Sequence, residues 1–147
     1  MQPIWFGAFT VEQASQLETG TFARHMGIEF SEVGPDFLAG RMRLEPHMKQ
    51  PFGILHGGVS VVLAETLGSV AANFVVDQSK FRCVGQSITA NHLRPVPVDG
   101  RYVTAIARAT HIDARRQVWD IRLRREDGKV FCVSTLTMAV VPHAGAS

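Results

Sequence analysis

The sequence contains little cysteine and tyrosine, with two Cys and one Tyr among 147 residues. Cys83 and Cys132 lie in separate strand-like runs, so we expect buried free thiols and a reducing cytoplasm rather than a disulfide framework. No uninterrupted apolar run approaches the roughly 20 residues of a membrane helix. The first ten residues carry no Lys or Arg before an apolar stretch. Neither a membrane span nor a secretory signal is therefore expected.

Several motifs for catalysis and ligand binding are also missing. There is no Gly-x-Ser-x-Gly nucleophile elbow and no Walker-type phosphate loop. None of the six His residues pairs with another His or with a Cys at metal-ligand spacing. A metal shared by His56 and Glu65 is the remaining option, and the pattern does not favour it. The sequence predicts no metal and no bound cofactor.

Length and composition indicate one soluble globular domain over residues 1–147. Hydrophobic residues make up 46% and charged residues 19% of the chain, as in ordinary globular proteins. The net charge of +2 is too small to predict nucleic-acid binding. Most of the 15 basic residues are Arg, whose planar guanidinium suits phosphate, so a phosphorylated ligand remains open.

Hydrophobic patterning predicts an α+β fold. A capping box that begins at Thr10 predicts a short helix from Val11 to about Leu17, and a further turn follows near His25. Residues 58 to about 76 are apolar on nearly every face, which is typical of a buried helix. Strand-like runs, several with alternating polarity, predict an antiparallel sheet of five to six strands wrapped around that helix: residues 28–33, 37–44, 83–93, 102–111, 117–124 and 130–141.

Glu65 is the one carboxylate within this apolar helix. Carboxylates are almost never fully buried without a partner, because removing the charge from water is costly. One interpretation places Glu65 at the only solvent-facing position of the helix, where Thr66, Ser69 and Asn73 would form a thin polar edge. The other is a polar notch that faces a cavity, with Ser69 one turn beyond Glu65 on the same face.

The start of the helix is the second candidate for chemistry. Gly57 and Gly58 lack side chains, so a ligand can approach their backbone closely. The first amides of a helix have no internal partner and lie at the positive end of its dipole, where they suit a developing oxyanion. Ordinary helix-start chemistry explains Gly-Gly equally well. His56 either donates a hydrogen bond or caps the turn, and the spacing alone does not interpret Gln50.

Two charged turns complete the set of candidates. Asn91–Pro95 ends one strand with a cationic cluster, and His111–Arg116 ends another. Such turns are commonly solvated hairpin rims. The alternative is that they hold the phosphates of a nucleotide-bearing ligand.

These motifs together resemble the hotdog-fold thioesterases of the phenylacetate-degradation type. Within that family the sequence resembles the subgroup of the 1,4-dihydroxy-2-naphthoyl-CoA hydrolase and the enterobactin proofreading thioesterase. The resemblance extends from Ile4 to Val140 and includes Gln50, His56-Gly57-Gly58 and Glu65 at the family's spacing. It implies a hotdog fold and hydrolysis of acyl-coenzyme A. It also implies active sites at a homodimer interface, with dimers pairing into tetramers.

The resemblance also implies roles for individual residues. Glu65 is the nucleophile or general base, and Ser69 orients the attacking water. The Gly57 amide of the neighbouring subunit polarises the thioester carbonyl, with Gln50 and His56 beside it. Coenzyme A, part of the substrate rather than a cofactor, is held by the remaining matched positions: Gly85, His92, Leu93, Arg94, Pro95, His111, Ile112, Asp113, Ala114, Arg115 and Arg116.

The sequence departs from its relatives at residues 95–98 and 112–116. The resemblance therefore implies less about the contacts to the nucleotide, and about the choice between coenzyme A and acyl carrier protein, than about the catalytic residues. An aromatic acyl group is implied by resemblance alone, with 1,4-dihydroxy-2-naphthoate one candidate and fatty acyl groups another. Rival functions are a hotdog-fold dehydratase or hydratase, which the spacing of Gln50, Gly57 and Glu65 disfavours, and a non-catalytic acyl-CoA-binding module.

Overall fold

The computed structural model describes residues 1–145. The predicted helices and strands are confirmed, with ends that differ from the predicted ones by at most two residues. Before the long helix, residues Pro46–Met48 form a 3-10 turn. The helices are α1 (Val11–Leu17), α2 (Phe22–His25) and α3 (Gly57–Val75), and the strands are β1 (Ile28–Val33), β2 (Phe37–Arg43), β3 (Phe81–His92), β4 (Tyr102–Ile112), β5 (Arg116–Arg124) and β6 (Val130–Pro142).

The six strands form one sheet in the order β1-β2-β4-β5-β6-β3, and every neighbouring pair is antiparallel. Helix α3 contacts strands β2 to β6. The chain thus has the predicted α+β hotdog architecture, a sheet wrapped around a central helix. Strands β1 and β3 are the edges of the sheet, and β3 pairs with β6 alone.

The core lies between α3 and the concave face of the sheet. The inner face of the helix supplies Leu63, Leu67 and Ala71, and β5 supplies Trp119 and Ile121, all of them fully buried. Gly68 allows close packing at the centre, because a Cβ there would come within 2.5 Å of the Leu136 Cδ2 atom. This packing fixes the rotation of α3 and hence the direction in which its polar residues point.

Helix α3 also passes a length and composition test for a membrane span. It has 19 residues and a mean hydropathy of 1.5, so the expectation that no segment is this long and apolar was wrong. The sequence interrupts each apolar run with Gly, Ser, Glu or Asn, but the helix average stays high. The surrounding sheet and the buried inner face identify α3 as a core helix, a common reason for passing such a test.

Candidate active site

The first turn of α3 is capped by His56. The His56 Nδ1 atom accepts a hydrogen bond from the Gly58 amide at 2.9 Å, and the His56 carbonyl accepts one from the Val59 amide at 3.0 Å. The helix begins at Gly57, one residue earlier than predicted. No backbone hydrogen bond within residues 1–145 uses the Gly57 amide. Gly57 therefore presents a free N–H at the positive end of the helix dipole.

The loop before α3 is folded back on itself by Gln50. The Gln50 side-chain oxygen accepts a hydrogen bond from the Phe52 amide. The Gln50 amide donates to the Ile54 carbonyl, and the Gln50 carbonyl accepts from the Gly53 amide, at 2.9 Å each. Gly53 has φ +85°, a left-handed conformation that favours glycine. Since the Gln50 oxygen is occupied within the loop, its amide NH2 is the group left to donate to a ligand.

A cleft of about 370 Å3 opens between this loop, the start of α3 and the end of β3. It brings together Gln50, Gly57 and the predicted residues His92 to Pro95. The sequence prediction missed the other residues of the lining. Ser60, one turn beyond Gly57, was the one with a recognisable signal, its helical spacing. The complete lining is Gln50, Ile54, Leu55, Gly57, Ser60, His92, Leu93, Arg94, Pro95, Val96 and Phe131.

The His92 ring lies close to Gly57. A Cβ added to Gly57 would come within 2.9 Å of the His92 Nε2 atom. Gly57 has no positive φ, so the constraint at this position is the nearby His92 ring, which would have to shift to admit a side chain. The side chain expected to bind coenzyme A therefore also lies beside the candidate oxyanion site.

Glu65 lies near the middle of α3, half-buried, with its carboxylate turned toward β3. A Cβ added to Gly85 on β3 would come within 2.9 Å of the Glu65 Oε1 atom. No hydrogen bond or ion pair within residues 1–145 engages the Glu65 carboxylate, whereas Ser69 and Asn73 on the same helical face are engaged. The Ser69 hydroxyl, one turn beyond Glu65, contacts the Met138 sulfur at 3.8 Å.

Within one protomer the pair Gly57 and His92 is far from the pair Glu65 and Gly85. The rise of an α-helix places Gly57 and Glu65 about 12 Å apart along the axis. Along β3, His92 and Gly85 are separated by roughly 23 Å. Helix and strand run in opposite directions, since Gly57 contacts His92 and Glu65 contacts Gly85. A single protomer therefore does not bring the carboxylate to the free amide.

The hairpin His111–Arg116 belongs to neither pair. All six of its residues are exposed, and none lines the cleft. The His111 ring pairs with the Asp113 carboxylate at 2.8 Å, and the Arg115 and Arg116 amides donate to Asp113 Oδ1 at 2.7 and 2.8 Å. The hydrogen bond from His111 and then those amides lower the pKa of Asp113 to about 2. These hydrogen bonds fix the backbone of the turn, from which the Arg115 and Arg116 side chains extend. We call residues 111–116 the rim.

A second cavity, of about 200 Å3, lies near the start of β4. Its charged side chains are paired with one another, Arg101 with Asp99 and Glu126, and Arg125 with Asp127. Each of these five side chains thus already has a partner of opposite charge, although the three carboxylates outnumber the two guanidinium groups. Residues 1–145 also contain no group of three or more His, Cys, Asp or Glu side chains placed to hold a metal ion.

Comparison with known proteins identifies the family. The profile of the Thioesterase superfamily matches residues 52–132. The crystal structure of a mutant thioesterase from Pseudomonas aeruginosa, a glutamine-to-alanine variant, is 43% identical with a TM-score of 0.90, over 95% of this chain and 99% of that one. The 1,4-dihydroxy-2-naphthoyl-CoA hydrolase of Escherichia coli is 38% identical over 138 residues, 94% of this chain and 98% of that protein.

A thioesterase from Staphylococcus aureus has been solved as two variants, one glutamate-to-alanine and one glutamine-to-alanine. They are 29% and 28% identical to this chain, with TM-scores of 0.78 and 0.77, and cover 82% of it and 98% of their own chains. The profile match over more than half of the chain agrees with these similarities. The chain belongs to the thioesterase superfamily and is a thioester hydrolase.

Proposed function

We propose that this protein hydrolyses acyl-coenzyme A thioesters, preferably those of aromatic acids, with Glu65 as the catalytic carboxylate. The observation that carries the proposal is the half-buried Glu65 carboxylate, which has no hydrogen-bond or ion-pair partner among residues 1–145 and faces the smallest possible residue, Gly85. A carboxylate in such a position is kept available for a water or an acyl carbon.

The solved variants of the Staphylococcus aureus relative support the choice of residues. The glutamine and the glutamate replaced in those two structures lie fifteen positions apart in that protein. Gln50 and Glu65 are separated by the same interval here. The Pseudomonas aeruginosa relative was likewise solved with a glutamine replaced. We therefore assign Gln50 to the site together with Glu65.

The free edge of β3 provides a way to complete the site with a second copy. The Leu93 amide donates to the Phe131 carbonyl on β6. In an antiparallel ladder the backbone groups alternate in direction, so after the β3 bulge the N–H and C=O groups of odd-numbered residues point toward β6. Those of Ile88, Ala90 and His92 point toward the free edge. A two-fold copy pairing along this edge runs antiparallel to it. The Glu65–Gly85 end of one protomer then lies beside the Gly57–His92 end of the other. We expect this dimer, and its pairing into tetramers.

The reaction follows from these positions. Glu65 takes a proton from a water held near Ser69, and the water oxygen attacks the thioester carbon. The carbonyl oxygen becomes an oxyanion bound by the Gly57 amide of the second copy, with Gln50 and His56 beside it. When the C–S bond breaks, the sulfur leaves as a thiol with the proton from Glu65. In the nucleophilic variant the Glu65 carboxylate attacks the thioester carbon and expels the thiolate, which forms an acyl anhydride, and water then cleaves the anhydride to release the acid and restore Glu65.

The substrate assignment rests on charge and on one relative. His92 to Pro95 line the cleft, and the 111–116 rim presents Arg115 and Arg116, donors that suit the phosphates of coenzyme A. The aromatic acyl group follows the Escherichia coli relative, which is named for 1,4-dihydroxy-2-naphthoyl-CoA. The same surfaces would accept an aryl-acyl carrier protein as the alternative substrate. Two buried free cysteines support a cytoplasmic location.

The decisive test is Glu65→Gln. Turnover of a benzoyl-CoA or naphthoyl-CoA substrate, followed with a thiol-trapping reagent, should fall by about 10²- to 10⁴-fold, because the carboxamide cannot accept a proton. Glu32→Gln, a carboxylate exposed on β1, serves as the matched control and should keep full turnover. Near-normal turnover in Glu65→Gln would refute the assignment.

Mixed dimers locate the site. Gly57→Pro removes the free amide at a position where helices accept Pro, and the His56 ψ of 128° suits the residue before a proline. Co-expression of Glu65→Gln with Gly57→Pro should restore one intact site per heterodimer if the site is shared. Gly57→Ala keeps the amide and controls for contact with His92. No recovery in the heterodimer would place both groups in one protomer.

A substrate panel separates the alternatives. Aryl and aliphatic acyl groups are each offered on coenzyme A and on acyl carrier protein, and kcat/KM is compared. We expect aryl-CoA thioesters to be preferred. Release of free thiol distinguishes hydrolysis from hydration of a double bond, and binding without turnover would identify a non-catalytic module.

A further inference from the structure

Asn73 links the helix that carries Glu65 to the edge strand that carries Gly85. Its side-chain NH2 donates to the Cys83 carbonyl at 3.0 Å and to the Ser69 carbonyl at 2.9 Å. Its side-chain oxygen accepts from the Cys83 amide at 2.9 Å. The side chain thus pairs with both backbone groups of Cys83, much as a neighbouring strand would, and all of its donors are used.

The backbone groups of Cys83 would otherwise be unpaired. Opposite Cys83 on β6, the Val140 amide donates to the Arg115 carbonyl and so points away from β3. Cys83 therefore faces the free edge of the sheet. Asn73 pairs with this part of the edge from the helix side. The outward backbone groups of Ile88, Ala90 and His92 remain available to a second copy. Within residues 1–145, no other α3 side chain hydrogen-bonds to the β3 backbone.

Asn73 lies on the same helical face as Glu65, two turns further along, and Cys83 is two residues before Gly85. The β3–β6 ladder is irregular between Gly85 and Ser87, so β6 constrains Gly85 less than a regular strand pair would. A Cβ added to Gly85 would come within 2.9 Å of the Glu65 Oε1 atom, so the carboxylate would have to move to make room for it. A small shift of β3 against α3 would therefore move or release the carboxylate.

We propose that Asn73 is a positioning residue for thioester hydrolysis, which holds β3 on α3 so that Gly85 fixes the Glu65 carboxylate in its reactive orientation. This inference rests on the proposed role of Glu65. It predicts that Asn73 affects the rate through Glu65 rather than through general stability.

The test is a double-mutant cycle on the intact dimer with an aryl-CoA substrate. Asn73→Ala should lower kcat by about 10- to 100-fold with little change in KM, as expected for a small displacement of a catalytic group. In the Glu65→Gln background the same substitution should have almost no further effect on kcat, because there is no carboxylate left to position. Hydrogen exchange at the Cys83 amide should accelerate in Asn73→Ala.

Gln117→Leu is the control for stability. Gln117 is a fully buried amide that donates to the Ala72 carbonyl on the same helix and to the Cys83 Sγ atom at 3.4 Å, and it makes no hydrogen bond to the β3 backbone. The Gln117→Leu substitution should lower the free energy of unfolding and leave kcat unchanged. Asn73→Ser replaces Asn73→Ala if the latter does not fold.

Three results would overturn the proposal: unchanged kcat in the folded Asn73 variant, an equal loss of kcat in the Glu65→Gln background, or an equal loss in Gln117→Leu. Failure of the proposed function is recognised separately, because Glu65→Gln alone would then keep its turnover.

Discussion

Strands β5 and β3 are both bonded to β6, yet their side chains have different surroundings. In β5 every second residue is buried, and Gln117, Trp119, Ile121 and Leu123 are all 0% exposed. In β3 only Cys83 is buried, and Val84 is 48% exposed. Strand β5 has neighbours on both sides, whereas β3 has one neighbour and a free edge. Both edges of β5 are paired within one chain, whereas one edge of β3 is not paired with another strand of the described residues.

This difference separates stability from catalysis. The β5 side chains close the core over α3 and determine whether the chain folds. The β3 residues contribute little burial, but Gly85 contacts Glu65 and His92 contacts Gly57. We therefore expect substitutions in β5 to change unfolding free energy and substitutions in β3 to change turnover or assembly.

The largest expected effect is that of Trp119→Ala on β5. Trp119 is fully buried and donates to the Gln117 side chain at 3.0 Å. Its truncation should lower the free energy of unfolding by about 3–5 kcal/mol, measured by urea denaturation. Val84→Ala on β3 is the comparison and should cost less than about 1 kcal/mol. Equal losses would show that β3 is as much part of the core as β5.

Gly85→Ala on β3 should have an intermediate effect, and on rate alone. The added Cβ would lie 2.9 Å from the Glu65 Oε1 atom, and Gly85 has an ordinary φ, so the backbone accepts Ala. We expect kcat to fall by about 10- to 100-fold while the urea midpoint stays near that of the parent. Ser87→Ala on the same strand should leave both unchanged. A normal kcat in Gly85→Ala would mean that Glu65 reacts from another orientation.

The smallest expected effect concerns the free edge of β3. Ala90→Pro removes an outward N–H without breaking a bond to β6, and two-fold symmetry doubles the loss to two hydrogen bonds per dimer. The dimer dissociation constant should rise by about 5- to 10-fold, as expected for two exposed hydrogen bonds, measured by sedimentation at several concentrations. Activity should fall on dilution in parallel. An unchanged dissociation constant would exclude this edge from the dimer interface.

Sequence patterning was sufficient to predict the helices and strands, but it did not predict all of their ends. The alternation of β5 and the capping box at Thr10 are local signals, and both were confirmed. The start of α3 was placed one residue late, although capping by His56, one of the two roles considered for this residue, is confirmed. The cleft residue Phe131 could not be predicted, since it reaches Leu93 only through pairing of β6 with β3.

The sequence by itself determined the class of fold and drew attention to Glu65, because a charge within an apolar helix is visible in one dimension. Only the tertiary structure decided what that charge faces: Gly85 across the helix–strand contact, with Asn73 holding the contact. It also showed that Gly57 and Glu65 lie against different parts of β3, at His92 and Gly85. Contacts between residues distant in sequence depend on how α3 is rotated against the sheet, and that rotation is set by the packing of the whole core.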